Sequence, residues 1–386
     1  MTRRERLEAD LCVVGAGIVG LAHAHEGRRR GLRVAVLDRD ERAVGASVRN
    51  FGHAFFTAVA DEDFECAMRT RELWLELGRR ADLNVAAAGS LVVARAADEL
   101  AVIEGVAADP IRKATVLTPA QAGALAPIPT NDLVGALHCT LDLCVDPRSA
   151  VAGLARLLED DPGASVRWGE PVSAVEPGIV TAEQVEVHAP AIVLAPGPAW
   201  ATLPLEARDG LSGLRLCKLQ MLRVAAPGGR VYGPGLLGAL SMIRYPVFTR
   251  RPGSHDLRRR LTAQRPELID AAINLIVTQL PGGDLVIGDT HEYGTTLSPF
   301  ADEQLFELLL EEARQLLGAP PLSVRERWTG VYPVLADASL DRDGHLVVTE
   351  PLEGVRVVEV VSGLGMTIAL GKAATVLDDL ELAVTS

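Results

Sequence analysis

Long basic runs are missing from this 386-residue chain, and lysine is scarce. Lysine occurs three times, the formal net charge is −13, and the short basic stretch 258–260 is typical of a solvated helix or loop. Proteins that bind nucleic acids need clustered Lys and Arg side chains to neutralise phosphates. We therefore expect no nucleic-acid partner, whereas a local basic pocket for a small anion is compatible with this composition.

Long apolar runs are missing as well. The stretch 355–371 is interrupted by Glu359 and three glycines, which predicts no membrane span. The apolar run that begins at residue 11 follows basic residues, as in a signal peptide, but it is short and contains a glycine fingerprint. The sequence thus predicts a cytoplasmic protein without a membrane partner.

Cysteine pairs of the CxxC type are also absent. The five cysteines are scattered along the chain, and an odd, scattered set favours reduced thiols. His138, Cys139 and Cys144 lie close together in sequence, but their spacing matches no zinc-binding pattern. We therefore expect no bound metal.

What the sequence does contain is a nucleotide-binding pattern in residues 11–40. A short apolar strand is followed by the fingerprint GxGxxG, a helical stretch to Arg30 and a second strand that ends at Asp38. The fingerprint glycines are Gly15, Gly17 and Gly20. The first permits a tight turn, the second lets the backbone approach a pyrophosphate, and the third allows close helix–strand packing. Asp38 is placed to bind ribose hydroxyls, which fits NAD and FAD alike and disfavours a 2′-phosphate.

The next segment, GASVRNFGHA at 45–54, is rich in small residues and has no strand periodicity. Together with the fingerprint it resembles the D-amino-acid oxidase-like flavoproteins, which include glycine and sarcosine oxidases. The resemblance implies FAD as the cofactor. It implies FAD contacts in this part of the chain from Gly15, Gly17, Ile18, Val19, Gly20, Asp38, Arg39, Ser47, Arg49, Asn50, Gly52 and His53. His53 is equally compatible with a position facing the flavin ring and with ordinary packing.

Three later segments carry the same resemblance: CVDPRSAVAGLARLLED at 144–160, AIVLAPGPAW at 191–200 and the strand, glycine turn and helix of 355–380. By this resemblance, further FAD contacts come from Val172, Ala195, Gly197, Gly363, Leu364, Gly365, Met366 and Thr367. The last helix would start beneath the flavin, where its N–H groups stabilise negative charge at the N1–C2=O edge.

The resemblance also predicts the architecture. We expect an α/β fold with a discontinuous, Rossmann-like FAD-binding domain and a substrate domain built on a mostly antiparallel β-sheet with helices. The FAD-binding domain would comprise 1–80, 141–205 and 325–386, and the substrate domain 81–140 and 206–324. A chain of 386 residues with 48% hydrophobic and 23% charged residues suits two soluble domains. Residues 301–318 predict an amphipathic helix that ends at Gly318.

The heptapeptide RWTGVYP at 327–333 marks a departure from the family. The related oxidases have Trp-x-Gly-x-Arg-Pro here, and their arginine binds the substrate carboxylate as a fork. This chain has Tyr332 at that position, so its anion site must differ. The residues that we expect in the substrate pocket are His53, Lys218, Arg244, His291 and Tyr332, with Arg49 as a further cation.

The strings GASVRNFGHA, KLQMLR, SMIRYPVF, GDTHEYG, RWTGVYP and SGLGMT resemble one subgroup of the family, associated with aminophosphonate breakdown. The implied substrate is a small anionic amine, an (N-alkyl) 2-aminoethylphosphonate. Its C–N bond would be oxidised by hydride transfer to flavin N5 and imine hydrolysis. The electron acceptor would be O2 or another molecule, and Lys218 or His291 could stabilise superoxide.

Two alternatives stay open. One is a glycine, sarcosine or D-amino-acid-type oxidase in which another cation binds the carboxylate, and the other is a non-catalytic flavin-binding subunit. The sequence is compatible with a monomer or a small homo-oligomer.

Overall fold

Strands alternate with helices at the start of the chain and give way to longer, mostly antiparallel strands in its middle. The computed structural model describes residues 4–81, 83–336 and 345–380. Within them the helices are α1 Ile18–Arg29, α2 Phe64–Ala81, α3 Ala97–Ala107, α4 Pro119–Leu125, α5 Pro147–Glu159, α6 Ala239–Met242, α7 Pro246–Thr249, α8 Ser254–Gln264, α9 Pro266–Asp270, α10 Glu303–Leu317 and α11 Gly365–Asp378. The strands are β1 Glu5–Glu8, β2 Leu11–Val14, β3 Val34–Asp38, β4 His53–Ala54, β5 Val85–Ala86, β6 Ser90–Ala94, β7 Ala114–Leu117, β8 Gly135–Cys139, β9 Leu143–Val145, β10 Ala164–Trp168, β11 Ala174–Glu176, β12 Ile179–Thr181, β13 Val185–His188, β14 Ala191–Leu194, β15 Leu214–Val224, β16 Gly235–Leu237, β17 Ile276–Gln279, β18 Leu285–Gly288, β19 Glu292–Gly294, β20 Val324–Leu335, β21 Leu346–Leu352 and β22 Val355–Val360. The predicted α/β class is confirmed.

A six-stranded sheet with the order β10-β3-β2-β14-β22-β21 carries the glycine fingerprint. All neighbours in it are parallel except β21 and β22. Its strands are apolar on both faces. Leu11, Val13, Val34, Val36 and Val193 join one core with α1, α5 and α11, whereas Cys12, Ala35, Leu37, Ile192 and Leu194 join another core with the four-stranded sheet β1-β13-β12-β11. Coverage of both faces explains the unbroken apolar runs in these strands.

The larger sheet has nine strands, in the order β19-β15-β18-β17-β16-β6-β8-β7, with β20 paired to β15. Its pairs are antiparallel except β16 and β6. The segment GDLVIGDTHEYG forms two strands, β18 and β19. Residues 289–291 lie between these strands, and they prove important for the site.

The predicted division into domains stays a prediction. One hydrophobic core draws mainly on 91–139 and 222–319, and a second on 11–83, 141–158 and 346–377. Strand β20 pairs with β15 in the larger sheet, although nearly all of β20 lies in the range 325–386 predicted for the FAD-binding domain. The predicted ranges include 1–3, 337–344 and 381–386, which lie outside the described residues.

Helix α10 matches the amphipathic helix expected over 301–318. It ends at Gly318, whose φ of 58° is left-handed, and it buries Phe306, Leu309, Ala313, Leu316 and Leu317. Leu305 and Leu308 are only partly buried. In the part of the chain that the structure describes, no helix has the length and hydropathy that a membrane span requires. All five cysteines are free thiols.

Candidate cofactor and substrate site

Two positions where β2, the following turn and α1 meet, Gly15 in the turn and Gly20 in the first turns of α1, leave no room for a residue larger than glycine. A Cβ atom at Gly15, whose φ is 103°, would lie 2.4 Å from the Ala195 carbonyl oxygen. At Gly20 a Cβ would lie 1.8 Å from the Gly15 carbonyl oxygen. These contacts bring α1 close against the sheet, with the first turn of the helix exposed to a ligand.

The start of α1 has the features of an anion-binding site. Gly17 is the N-cap and makes no side-chain capping bond, and the first turn contains no acidic residue. The Ile18 N–H donates to Ser47 Oγ at 2.9 Å, so the loop of 45–54 lies directly over the helix start. Free N–H groups and the helix dipole attract a phosphate at this point.

Asp38 lies at the tip of β3, where two backbone groups orient its carboxylate. Its oxygens accept the Ala16 N–H at 2.6 Å and the Asp40 N–H at 2.9 Å. Burial raises the pKa of Asp38, although these two hydrogen bonds act against the shift. A carboxylate held in this way beside the glycine turn suits the ribose of a dinucleotide.

A cavity of about 470 Å³ extends from this turn across the C-terminal edge of the sheet. The predicted cofactor residues that line it are Gly15, Gly17, Ile18, Val19, Asp38, Arg39, Ser47, Arg49, Asn50, His53, Val172, Ala195, Gly197, Gly363, Leu364, Gly365, Met366 and Thr367. The other two, Gly20 and Gly52, are not among its lining residues. Gly52 has a φ of 72°, and a Cβ there would lie 2.3 Å from the Val145 carbonyl oxygen, so its role in this structure is close packing.

The second helix start at the cavity belongs to α11. Leu364 is its N-cap, and no side chain caps it. Gly363, with a φ of 74°, lies against the phenol of Tyr332, since a Cβ there would be 3.3 Å from Tyr332 Cζ. The glycine turn, the carboxylate of Asp38 and the two uncapped helix starts together fit an FAD molecule.

The remaining lining includes a group that we call the aromatic pocket: Phe51, His53, Phe55, Tyr245, Asn274 and Asp289. The rings of His53 and Phe55 are 4.8 Å apart, and those of Phe55 and Tyr245 are 5.1 Å apart. Asn274 Nδ2 donates to Tyr245 Oη at 3.1 Å. The group is contiguous and combines aromatic rings with a few polar side chains, as expected of a pocket for a small molecule.

Three buried polar atoms in the aromatic pocket have no hydrogen-bond partner within the described protein: His53 Nδ1, Asn274 Oδ1 and Asp289 Oδ1. Asp289 is 3% exposed, and burial raises its pKa to about 7 against the opposing effect of Arg244. The His291 ring nitrogen Nδ1 is 3.8 Å from Asp289 Oδ1 but is 2.9 Å from the Ala272 carbonyl oxygen. The pocket therefore contains buried polar atoms whose hydrogen-bonding capacity the described protein leaves unused.

Arg244 lies behind the aromatic pocket and is absent from its lining. Its guanidinium donates to the Ala272 carbonyl oxygen at 3.0 Å and to Tyr293 Oη at 3.1 Å. The charge of Arg244 acts on both Asp289 and Tyr332. Burial keeps the pKa of Tyr332 well above its usual value, so its phenol is neutral.

The structure places Lys218 and His291 at a different cavity. Lys218 Nζ donates to the carbonyl oxygens of Ser298 and Phe300 and pairs with Glu292. Burial, with Arg244 nearby, lowers the pKa of His291 well below its usual value, so the ring is neutral. Both residues line a second cavity with Gln220 and other polar residues. Of the substrate residues expected from the sequence, only His53, Tyr332 and Arg49 line the main cavity.

Sequence reasoning missed Asp289 and Asn274. Asp289 stands in the quoted segment GDTHEYG, where His291 drew attention instead. A carboxylate directly after the buried strand β18 was the signal that pointed to it. Asn274 gave no such signal, because only the backbone bonds between Asn274 and Asp289, both 2.8 Å long, bring the two together.

The family comparison agrees with this geometry. The sequence matches the family described as DAO: FAD dependent oxidoreductase over residues 10–379. No curated protein matches the sequence.

Solved structures share the fold at low identity. L-proline dehydrogenase from P. horikoshii has 19% identity and a TM-score of 0.76, with 96% of this chain and 92% of that chain covered. Glycine oxidase from Geobacillus kaustophilus has 20% identity and a TM-score of 0.73, with 98% and 96% covered. Iminodiacetate oxidase from Chelativorans sp. BNC1 has 20% identity and a TM-score of 0.71, with 95% of each chain covered. The fold and the family match over nearly the whole length agree, and the chain belongs to the DAO family of FAD-dependent oxidoreductases.

Proposed function

We propose that this enzyme oxidises the C–N bond of a small anionic amine, and that the amine is 2-aminoethylphosphonate or an N-alkyl derivative of it. The observation that carries the proposal is the carboxylate of Asp289, which is buried in the aromatic pocket with one oxygen unpartnered. Glycine oxidase and iminodiacetate oxidase, whose structures resemble this one, are by their names oxidases of amine compounds.

Asp289 supports recognition of the amine. A buried acceptor without a partner costs about 1–3 kcal/mol, and an ammonium group relieves that cost with a charge-assisted hydrogen bond. Asn274 Oδ1 is a second unpartnered acceptor in the same pocket. Two acceptors suit a primary or secondary ammonium, which has at least two N–H donors.

Arg49 supports recognition of the anion. It is exposed and lines the cavity, and its guanidinium bonds to the Thr329 carbonyl oxygen at 3.4 Å. Among the described residues, no carboxylate forms an ion pair with Arg49. Tyr332 supplies a neutral hydroxyl donor, and Arg244 behind it adds positive potential. A phosphonate has three oxygens and needs donors from several directions, which Arg49 and Tyr332 provide better than one planar fork.

The protein's contribution to the reaction is position and environment. FAD, when bound across the glycine turn, supplies the hydride acceptor. Asp289 and Asn274 orient the nitrogen, and the rings of Phe51, Phe55 and Tyr245 limit access of water to the reacting carbon. Hydrolysis of the product imine then needs only water and yields a carbonyl compound together with ammonia, or with an amine where the substrate is N-alkylated.

Anaerobic bleaching of the flavin tests the proposal. Purified, FAD-loaded protein is mixed without oxygen with N-methyl-2-aminoethylphosphonate, 2-aminoethylphosphonate, glycine, sarcosine, D-alanine or L-proline. We expect the phosphonates to bleach the flavin at concentrations where the carboxylates do not. Bleaching by the carboxylates alone supports the glycine, sarcosine or D-amino-acid oxidase alternative.

Reduction by dithionite tests the remaining alternative, a flavin-binding subunit without turnover. If dithionite bleaches the flavin and no amine does, the chain is a flavin-binding subunit without amine turnover. Repeating the productive reaction with O2 or with a dye acceptor, and measuring hydrogen peroxide, distinguishes an oxidase from a dehydrogenase.

A further inference from the structure

A buried hydrogen-bonded chain leads away from the aromatic pocket. His53 Nε2 lies 2.6 Å from Ser90 Oγ, and Ser90 Oγ donates to Asp142 Oδ2 at 2.6 Å. The other carboxylate oxygen, Asp142 Oδ1, accepts the Thr57 N–H at 2.8 Å. Ser90 and Asp142 are 0% exposed. The chain thus connects the cavity to a carboxylate that solvent does not reach.

The hydrogen bonds between His53, Ser90 and Asp142 can form with either of two arrangements of their protons. When Asp142 is ionised, Ser90 donates to Asp142 and His53 Nε2–H donates to Ser90, which leaves a lone pair on His53 Nδ1. When Asp142 is protonated, each bond reverses and His53 carries its proton on Nδ1. Because Nδ1 has no partner in the described protein, it is the ring nitrogen that remains for a molecule in the cavity.

We infer that His53, Ser90 and Asp142 form a proton relay that takes the proton which the substrate ammonium must lose before its C–N bond is oxidised. This inference rests on the proposed function. The substrate N–H bond breaks and His53 Nδ1–H forms; His53 Nε2–H passes to Ser90 Oγ, and the Ser90 hydroxyl proton passes to Asp142 Oδ2. The ammonium and the carboxylate both become neutral, the imidazole stays neutral throughout, and no electrons are transferred.

The environment favours this route over simple protonation of His53. Burial lowers the pKa of His53 to about 3, so an imidazolium is strongly disfavoured. Burial raises the pKa of Asp142 to about 7, against the hydrogen bonds from Ser90 and Thr57. The relay therefore places the proton on the group that accepts it near neutral pH.

Other titratable groups surround the relay. Cys139, Cys144 and Tyr245 lie close to Asp142, and burial raises the pKa of all three, so they stay neutral near pH 7. Arg112 donates to the Thr57 carbonyl oxygen at 3.2 Å. Asp289, in the aromatic pocket with His53, also has a pKa raised to about 7 by burial. A pH profile alone therefore does not separate Asp142 from Asp289, and variants are needed.

The first arm of the test needs no substrate. FAD-loaded protein labelled with 15N-histidine is titrated, and 15N shifts distinguish the Nδ1–H tautomer, the Nε2–H tautomer and the imidazolium; the His53 signals are those lost in His53→Gln. We expect Nε2–H above a midpoint of about 7 and Nδ1–H below it. In Asp142→Asn, the Thr57 N–H holds the amide oxygen, so the amide NH2 donates to Ser90 and fixes Nδ1–H at every pH. In Ser90→Ala the tautomer no longer follows pH.

Conversion of His53 to imidazolium, or one tautomer at all pH values in the wild-type protein, overturns the relay. So does a tautomer switch that persists unchanged in both Asp142→Asn and Ser90→Ala.

The second arm measures anaerobic bleaching by N-methyl-2-aminoethylphosphonate. At pH 7 we expect Asp142→Asn and Ser90→Ala to lower the limiting rate by about 10²-fold, and the loss to shrink as the pH approaches the pKa of the free amine. The matched control is Asp284→Asn, in which Asp284 pairs with Arg223 in a distant turn. Wild-type rates in both Asp142→Asn and Ser90→Ala would overturn the relay and leave the proposed function standing. If no amine bleaches the flavin of the wild-type protein, the proposed function is overturned and, with it, this use of the relay.

Discussion

At the scale of single residues, the atoms that lack partners are more informative than those that have them. His53 Nδ1, Asn274 Oδ1 and Asp289 Oδ1 are buried in one pocket without protein partners. Each such atom costs about 1–3 kcal/mol of folding free energy. Two of them, Asn274 Oδ1 and Asp289 Oδ1, are oxygen acceptors that a hydrogen-bond-donating ligand would satisfy, which is why we propose that the substrate amine binds there.

Asp289→Asn tests that placement. The amide keeps the shape and one acceptor but loses the charge, so the Kd for the amine should rise by about 10- to 100-fold, the range for a hydrogen bond to a charged group. The measurement is the substrate dependence of anaerobic flavin bleaching in a stopped-flow instrument. Asp284→Asn is the control, and an unchanged Kd in Asp289→Asn would remove this residue from amine binding.

Tyr332 allows a test of the anion site. In Tyr332→Phe the ring still packs on Gly363 but the hydroxyl donor is lost, so the Kd for the phosphonate should rise by about tenfold. Tyr332→Arg should weaken phosphonate binding and strengthen binding of glycine or sarcosine, because a guanidinium fits a planar carboxylate. Equal phosphonate affinity in all three proteins would place the anion elsewhere.

At the scale of helices and strands, the sequence predicted the elements that periodicity and turn residues determine locally. The strand, glycine turn and helix of residues 11–30 and the helix that ends at Gly318 follow from periodicity and turn chemistry. The split into β18 and β19 does not follow in this way, although the apolar residues of β18 end at Gly288 and four polar residues come next. It arises where both strands pair with different parts of β15, and no local signal encodes that pairing.

Gly20→Ala tests the close approach of α1 to the turn that follows β2. The new Cβ would lie 1.8 Å from the Gly15 carbonyl oxygen, so α1 must shift away from the sheet and the phosphate site opens. We expect the variant to lose FAD and to melt at a lower temperature, as measured by flavin content and thermal unfolding. Gly282→Ala, in a turn where a Cβ would meet nothing within 4 Å, is the control. Full FAD content in Gly20→Ala would show that the tight approach is dispensable.

At the scale of the whole molecule, the cavity combines residues that are far apart in sequence, from Gly15 to Thr367. The fingerprint and the family resemblance predicted most of the cofactor side of its lining, since those residues lie in contiguous motifs. The sequence suggested Lys218, Arg244 and His291 for the substrate side, and none of them lines this cavity. Lys218 lies in β15, where a register shift of one residue turns a side chain to the other face. Arg244 lies between α6 and α7, and His291 lies between β18 and β19, where no periodicity predicts side-chain direction.

Asp142 makes the free energy of unfolding depend on pH. It accepts the Thr57 N–H and the Ser90 hydroxyl, so it joins the segment after β4 to the first strand of the larger sheet. Its pKa is raised from 3.8 to about 7 by burial, so between these pH values the folded protein holds a proton that the unfolded chain has released. The free energy of unfolding therefore falls as pH rises through this window, by a total on the order of 4 kcal/mol from this one group.

Asp142→Asn removes this titration, so the variant should gain stability relative to the wild-type protein as pH rises from 5 to 8. Urea unfolding of both proteins at a fixed excess of FAD measures the difference, because bound FAD contributes to stability equally at constant occupancy. Asp98→Asn is the control, because the pKa of Asp98 is lowered in the folded protein whereas the pKa of Asp142 is raised. Hydrogen bonds from Arg260 lower the pKa of Asp98, so the stability that Asp98 contributes is complete above pH 3.8 and its loss should be constant between pH 5 and 8. Parallel stability curves for Asp142→Asn and the wild-type protein would mean that Asp142 is ionised throughout, and would leave His53 with a lone pair on Nδ1 at every pH in this range.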